Sequence, residues 1–230
     1  MWPVFAGMFV IHAVYKVLQA MTYTRGAYTV VYPVVRGAGP LFTVMGAGLV
    51  LGEHYAPLQW LGVAMLVAGI LGLAGHNLRH LTTGRDRLVP ALGFALATGL
   101  KVAVYTTYDA WGIRASADPF TFLAWFFMLD GIFIPVVTWR RWWRISRAEV
   151  LPLLKRGVLG AFVAYGSFGA IMLATRLDRV GEAAVLRETS TVFAALIGWL
   201  VLGEKVGRVP AMLMALIAAG AVVMLTGGVQ

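Results

Sequence analysis

The chain has 230 residues, of which 60% are hydrophobic and only 13% charged, with a formal net charge of +9 and a mean hydropathy of +0.80. Soluble domains carry roughly 25% charged residues, so there are too few charges here to build a water-facing exterior, and lipid must cover most of the outside. The basic excess lies in short connections between apolar runs, not on an amphipathic helix or aromatic platform, which argues against nucleic acid; with zero cysteines, disulfides and thiolate metal sites are excluded.

A membrane span needs about 20 largely apolar residues. Eight segments qualify: about 4 to 22, 28 to 51, 57 to 75, 89 to 113, 120 to 139, 152 to 175, 181 to 202 and 209 to 228. They must be helices, because open strands would leave backbone groups unpaired in lipid. The first apolar run has no basic region before it and contains Lys16, which argues against a cleaved signal peptide. Lys16 follows His12 by four residues and shares its face, with Tyr15 alongside. These groups either belong to a transport pathway or pair with a helix outside this chain.

The second span carries Tyr32, and Arg36 between Pro33 and Pro40. Pro40 cannot bond the carbonyl four residues back, so a broken or kinked helix is expected at Arg36, while Gly37 and Gly39 allow close approach of a helix or ligand. Arg36 then reads as an anion-binding or hinge element, or as an arginine that snorkels or pairs with Glu188 or Asp130. The span ends in Leu51-Gly52-Glu53, where a role in interfacial structure or gating is expected for Glu53. After the third span, His76 and His80 have the spacing of two metal ligands on a helix, but no carboxylate or cysteine nearby completes a site, and no metal is expected.

Mid-membrane charge costs at least ~2.5 to 3.5 kcal/mol and marks function by default. In the fourth span Lys101, Tyr105 and Asp109 follow one another at i, i+4 and i+8. The stripe predicts a counter-charge for an anionic or zwitterionic solute at Lys101, a hydrogen-bonding wall at Tyr105 and a gate or proton carrier at Asp109; the alternative is a Lys101 pair with Asp130 or Asp109 that simply holds helices together. Asp130 stands in the fifth span, and Arg187 and Glu188 in the seventh, where Arg187 is read as substrate-binding or as a snorkelling or paired arginine. Asp109, Asp130 and Glu188 are the candidate proton carriers. No Walker loop, nucleophile elbow or zincin motif is present, so neither an enzyme nor a cofactor is expected.

Sliding the chain by 151 residues lays Val34 to Glu53 on Val185 to Glu204 with eight of twenty positions identical, including Arg36 with Arg187, Phe42 with Phe193 and Leu49 to Glu53 with Leu200 to Glu204. The first three spans fall on the sixth, seventh and eighth. Equivalent helices are five crossings apart, an odd number, so the halves face opposite ways: an inverted repeat, as in secondary transporters. The fourth and fifth spans have no earlier partner, because subtracting 151 from 89 lands 62 residues before Met1. A chain of ten spans lacking its first two is therefore expected, with a natural eight-helix form as the alternative. Residues 1–76 read as an incomplete three-helix repeat, 77–88 as a connection and 89–230 as a complete five-helix repeat.

The two Leu-Gly-Glu helix ends, Tyr32-Pro33-Val34-Val35-Arg36-Gly37-Ala38-Gly39-Pro40-Leu41 and Tyr105-Thr106-Thr107-Tyr108-Asp109-Ala110-Trp111-Gly112-Ile113-Arg114 resemble the drug/metabolite transporter superfamily in its EamA-type branch of five-plus-five helices. The resemblance implies an all-α inverted-repeat bundle, here three plus five, that moves a small organic solute such as an amino acid, metabolite or drug across the bacterial inner membrane by alternating access. Rival readings are a lipid-linked carrier or flippase, which requires a groove open sideways to lipid, and a non-transporting membrane enzyme or assembly subunit. Expected partners are membrane lipid and the solute; a homodimer is a candidate assembly.

Twelve basic residues in the connections or at span ends fall on one face, among them Arg25, Arg79, Arg140, Arg141, Arg144 and Arg147, and three on the other, Arg114, Arg176 and Arg179. The bias puts the first face in the cytoplasm, with Trp139, Trp142 and Trp143 as interfacial anchors and both chain ends outside. The family resemblance implies instead a cytoplasmic C-terminus.

Overall fold

The computed structural model describes residues 1–25, 28–79, 88–200 and 207–228. Nine helices are assigned among them: α1 (Trp2–Arg25), α2 (Tyr28–Leu51), α3 (Pro57–Arg79), α4 (Leu88–Arg114), α5 (Pro119–Trp142), α6 (Arg147–Leu177), α7 (Val180–Glu188), α8 (Ser190–Leu200) and α9 (Arg208–Thr226). Seven are long and apolar enough to cross a membrane; the eighth expected span, 181 to 202, falls on α7 and α8, with Thr189 between them. The chain is an all-α multi-pass membrane protein. His80, Glu204 and segment 80–87 lie outside the described residues.

Local chemistry sets the helix ends. Asp118 starts α5 by accepting the Thr121 N–H at 2.7 Å ahead of Pro119 at the first turn, and hydrogen bonds from Thr121, side chain then backbone, hold its carboxyl below the ordinary range. At the start of α6 the Glu149 carboxylate takes the Ser146 N–H at 3.0 Å and its hydroxyl at 2.8 Å. Gly52, at φ +69, turns the chain out of α2 and sends Glu53 into the next layer of contacts.

Small residues let the helices approach. Where α3 crosses α9, a Cβ added at Gly62 would stand 2.7 Å from the Gly220 carbonyl, and one at Gly69 would stand 2.9 Å from the Leu213 carbonyl. The offset of 151 converts one contact into the other, since Gly62 maps to Leu213 and Gly69 to Gly220. Gly99 likewise admits α2 against α4, where a Cβ would meet that of Ala38 at 2.7 Å.

The two halves are unequally covered. Met8 and His12 of α1 are 2% and 5% exposed beneath α4 and α5, whereas their repeat equivalents on α6, Leu159 and Val163, are 66% and 62% exposed. Helices α4 and α5 have no counterpart in the described chain to cover α6.

The break expected at Arg36 falls elsewhere. Helix α2 is continuous through Pro33 and Pro40, and the interruption sits in the other repeat at Thr189, the equivalent of Ala38. There Thr189 donates its N–H to Leu186 at 3.1 Å and Val192 donates to Thr189 at 2.9 Å, i to i−3 bonds that end one helix and start the next. A polar Glu-Thr-Ser-Thr run offers side-chain oxygens that compete for backbone groups: Thr189 and Thr191 hydroxyls bond the carbonyls of Leu186 and Glu188.

Candidate functional site

Two polar clusters lie inside the bundle. The first joins α1, α4 and α5. His12 Nε2 is 2.8 Å from Asp109 Oδ2, and His12 Nδ1 is 3.8 Å from Asp130 Oδ1. Lys16 Nζ donates to the same Asp130 oxygen at 2.6 Å and to the Asp130 backbone carbonyl at 2.8 Å. One imidazole therefore stands between two carboxylates, one of them braced by a lysine. Asp109 is 2% exposed, and its Oδ1 has no hydrogen-bond partner among the described residues. Aromatic rings wall the cluster: Tyr105 lies 4.8 Å and Phe126 5.1 Å from the imidazole, centroid to centroid.

The second cluster joins α2 to the break between α7 and α8. Glu188, fully buried, faces both repeat-equivalent arginines: Arg36 Nε lies 2.9 Å from its Oε2 and Arg187 Nε 3.5 Å from its Oε1. The Arg36 contact is close but poorly aligned, so that Nε and Oε2 both lack a directed hydrogen bond. Arg36 Nη2 donates to Ser190 Oγ at 2.6 Å, across the helix break. A cavity of about 200 Å³ opens beside it, lined by Tyr32, Pro33, Arg36, Ile70, Ser190 and Ile217 among others. Tyr105, which packs on His12, is also in contact with Tyr15 at 4.9 Å between centroids.

Several expectations need correcting. Lys101 pairs with neither Asp130 nor Asp109; it is half-buried on α4 and makes no ion pair or hydrogen bond among the described residues, while Lys16 holds Asp130 and His12 holds Asp109. Lys16 thus finds its partner within this chain. Arg36 and Arg187 pair with Glu188 and not with Asp130. His12 was legible only as a neighbour of Lys16, and Ser190 only as a polar substitute in the repeat.

A third polar knot closes the sparse-charge face. Glu53 accepts the Val180 N–H at 3.0 and 2.9 Å, placing a carboxylate on the N-terminus of α7, and also binds Arg114 Nη2 at 2.9 Å and the Tyr55 hydroxyl. Burial, then the hydrogen bond to Glu53, pushes the Tyr55 phenol above its ordinary range. Arg176 donates to the Ile113 and Ser116 carbonyls, and Arg179 to Gln59. All three arginines of this face are committed to the protein's own acceptors.

The two clusters thus gather ionisable side chains from α1, α2, α4, α5 and α7 inside the bundle, where charge needs a partner. No curated protein matches the chain. The model of the EamA-like transporter family matches residues 89–226, a stretch from α4 to the end of α9 that includes Asp109, Asp130, Arg187 and Glu188, and the chain belongs to the EamA-like transporter family.

Proposed function

We propose that the chain is a secondary transporter that moves a small organic metabolite across the bacterial inner membrane by alternating access between its two inverted halves. The observation that carries the reading is the convergence of Arg36 and Arg187, equivalent residues of the two repeats, on the buried carboxylate of Glu188 beside a helix break. A site at the repeat interface can face either side as the halves rock, and a broken helix supplies backbone groups for the solute. In this reading Arg36, Arg187, Tyr32, Tyr105 and Lys16 contact the solute, and Asp109, Asp130 and Glu188 carry protons. Lys101, free of any partner among the described residues, serves as an approach charge and not as the central ligand. Arg114, Arg176 and Arg179 all serve as structural donors, and the twelve-to-three excess of basic residues on the opposite face supports placing that face in the cytoplasm.

The test is reconstitution of the purified chain in liposomes, offered a mixture of amino acids, organic acids and drug-like amines, with accumulated solutes read by mass spectrometry. Wild type should accumulate a subset, and Arg36→Ala, folded by its thermal melt, should accumulate none of it. Equal accumulation in protein-free liposomes or in the variant would sink the reading.

The apolar groove of about 500 Å³ between α2 and α4, lined by Phe42, Gly46, Val50, Leu100, Val104 and Trp111 among others, is the feature a lipid-linked carrier would use. It lacks a charged residue to hold a head group, so that reading stays second.

A further inference from the structure

The Glu188 carboxylate stands between two arginines that the repeat makes equivalent. Two guanidinium groups from opposite repeats face one carboxylate, fully buried and beside a cavity of about 200 Å³. Planar forked donors of this kind match carboxylates bidentately. Yet the match to Glu188 is poor: Arg36 Nε and Glu188 Oε2 sit within 2.9 Å of each other but are both left without an aligned hydrogen bond, and Arg187 reaches the other oxygen only at 3.5 Å. Charged donors are present and incompletely used.

We infer that Glu188 is an internal place-holder for the carboxylate of the transported solute, and that a solute carboxylate takes its place on Arg36 and Arg187 when Glu188 accepts a proton. The inference rests on the transporter reading above and names its substrate class, a small monocarboxylate. The balance is simple. Before loading, two guanidinium groups face one ionised carboxylate; after loading they face one ionised carboxylate from the solute and one neutral carboxylic acid. The charge at membrane depth is unchanged, and one proton enters with each anion. Loading without the proton would set two carboxylates against the same donors in a dry interior, where two such groups cannot both stay ionised.

The surroundings leave Glu188 as the exchanging group. Facing this site are Arg36 and Tyr32 from α2, Arg187 from α7, Ser190 from α8, Tyr105 from α4 and Tyr15 from α1, while α3 and α9 present Ile70, Leu73 and Ile217 along the cavity. Among these, Glu188 is the one carboxyl. The next carboxylates, Asp109 and Asp130, are engaged by His12 and Lys16 in the other cluster.

The experiment is calorimetric binding of sodium propionate and sodium benzoate to the whole chain in lipid nanodiscs, with propionamide and benzamide as uncharged counterparts. Wild type should bind the carboxylates in preference to the amides, take up one proton per anion, and lose affinity about tenfold for each unit rise in pH. A difference infrared spectrum should show a protonated carboxyl appearing on binding. Glu188→Gln should still bind the carboxylates, with affinity flat in pH and without the infrared band. Carboxylates bound no better than amides, binding without proton uptake, or an unaltered pH slope in Glu188→Gln would each overturn the inference; the first two need no variant to fold. Binding with proton uptake but no flux in liposomes would uphold this site and defeat the transporter reading. Flux of amines or neutral solutes without carboxylate binding would do the reverse.

Discussion

Gly62 of α3 and Gly220 of α9 meet backbone to backbone, and each excludes a side chain: a Cβ on Gly62 would fall 2.6 Å from the Met224 amide nitrogen, and one on Gly220 would fall 2.7 Å from the Leu66 amide nitrogen. Gly220→Leu should therefore destabilise the folded chain by about 1 to 3 kcal/mol or prevent its assembly, since overpacking here must displace backbone. Gly75→Ala on the same α3, where nothing lies within 4 Å of the added Cβ, should be neutral or slightly stabilising. Denaturant titration in detergent, followed by circular dichroism, compares them; equal stability of Gly220→Leu and wild type would show that the crossing is not tight.

His12→Leu should cost about 3 to 5 kcal/mol, because it leaves Asp109, 2% exposed, as an unpaired buried carboxylate. Asp109→Leu alone should cost less, since it leaves an imidazole and not a carboxylate without its partner. The double variant should be more stable than His12→Leu alone. Thermal melts of the three variants form a double-mutant cycle, and additive losses would mean that the pair is not coupled.

Glu53→Ala should free the N-terminus of α7, Arg114 and the Tyr55 hydroxyl together, with a loss of about 2 kcal/mol or more, and should speed amide exchange at Val180, whose N–H the carboxylate accepts at 2.9 Å. Hydrogen-exchange mass spectrometry of the peptide over 178–188 reads this directly.

Tyr55 gives a pH dependence. Its phenol is raised above the ordinary value of 10.0, first by burial and then by Glu53. A raised folded value means that the stabilisation is complete below the unfolded value and is lost as pH rises past it toward the folded one. Stability should therefore fall above about pH 10. The fall should be smaller in Tyr55→Phe, measured by denaturant midpoints across the alkaline range.

The chain has zero cysteines, so single reporters are unambiguous. A membrane-impermeant maleimide added to intact cells should label Ala117→Cys, in the turn between α4 and α5, and spare Trp143→Cys, in the turn between α5 and α6 where Arg140, Arg141 and Arg144 gather. Labelling of Trp143→Cys alone would place the basic face outside.

Span positions were legible because composition reports the solvent each segment needs, and helices such as α2 begin and end where the apolar run does. The repeat was legible because Arg, Phe, Gly and Glu align in one register, and it brought Arg36 and Arg187 to one carboxylate. The azimuth of each helix was not legible. Lys101 and Asp109 are eight residues apart, and at 3.6 residues per turn that spacing drifts by about 80°, enough to turn Asp109 into the α1 interface and leave Lys101 at its edge. His12 gave no sign of its partners, since Asp109 and Asp130 are 97 and 118 positions away and the sequence does not say which helices touch. Pro33 and Pro40 point to a break in α2, but both prolines fit inside a continuous helix while a run of hydroxyl side chains opens the equivalent one.

The paired contacts of α3 and α9 also have a mechanical meaning. Gly62 against Gly220 and Gly69 against Leu213 are interlocked at the level of the main chain, so a slip of one helix along the other by even one residue, about 1.5 Å, would run carbonyl into amide. Two such contacts seven residues apart, about 10 Å along α3, fix the crossing angle as well as the register, so α3 and α9 are braced as one stiff unit.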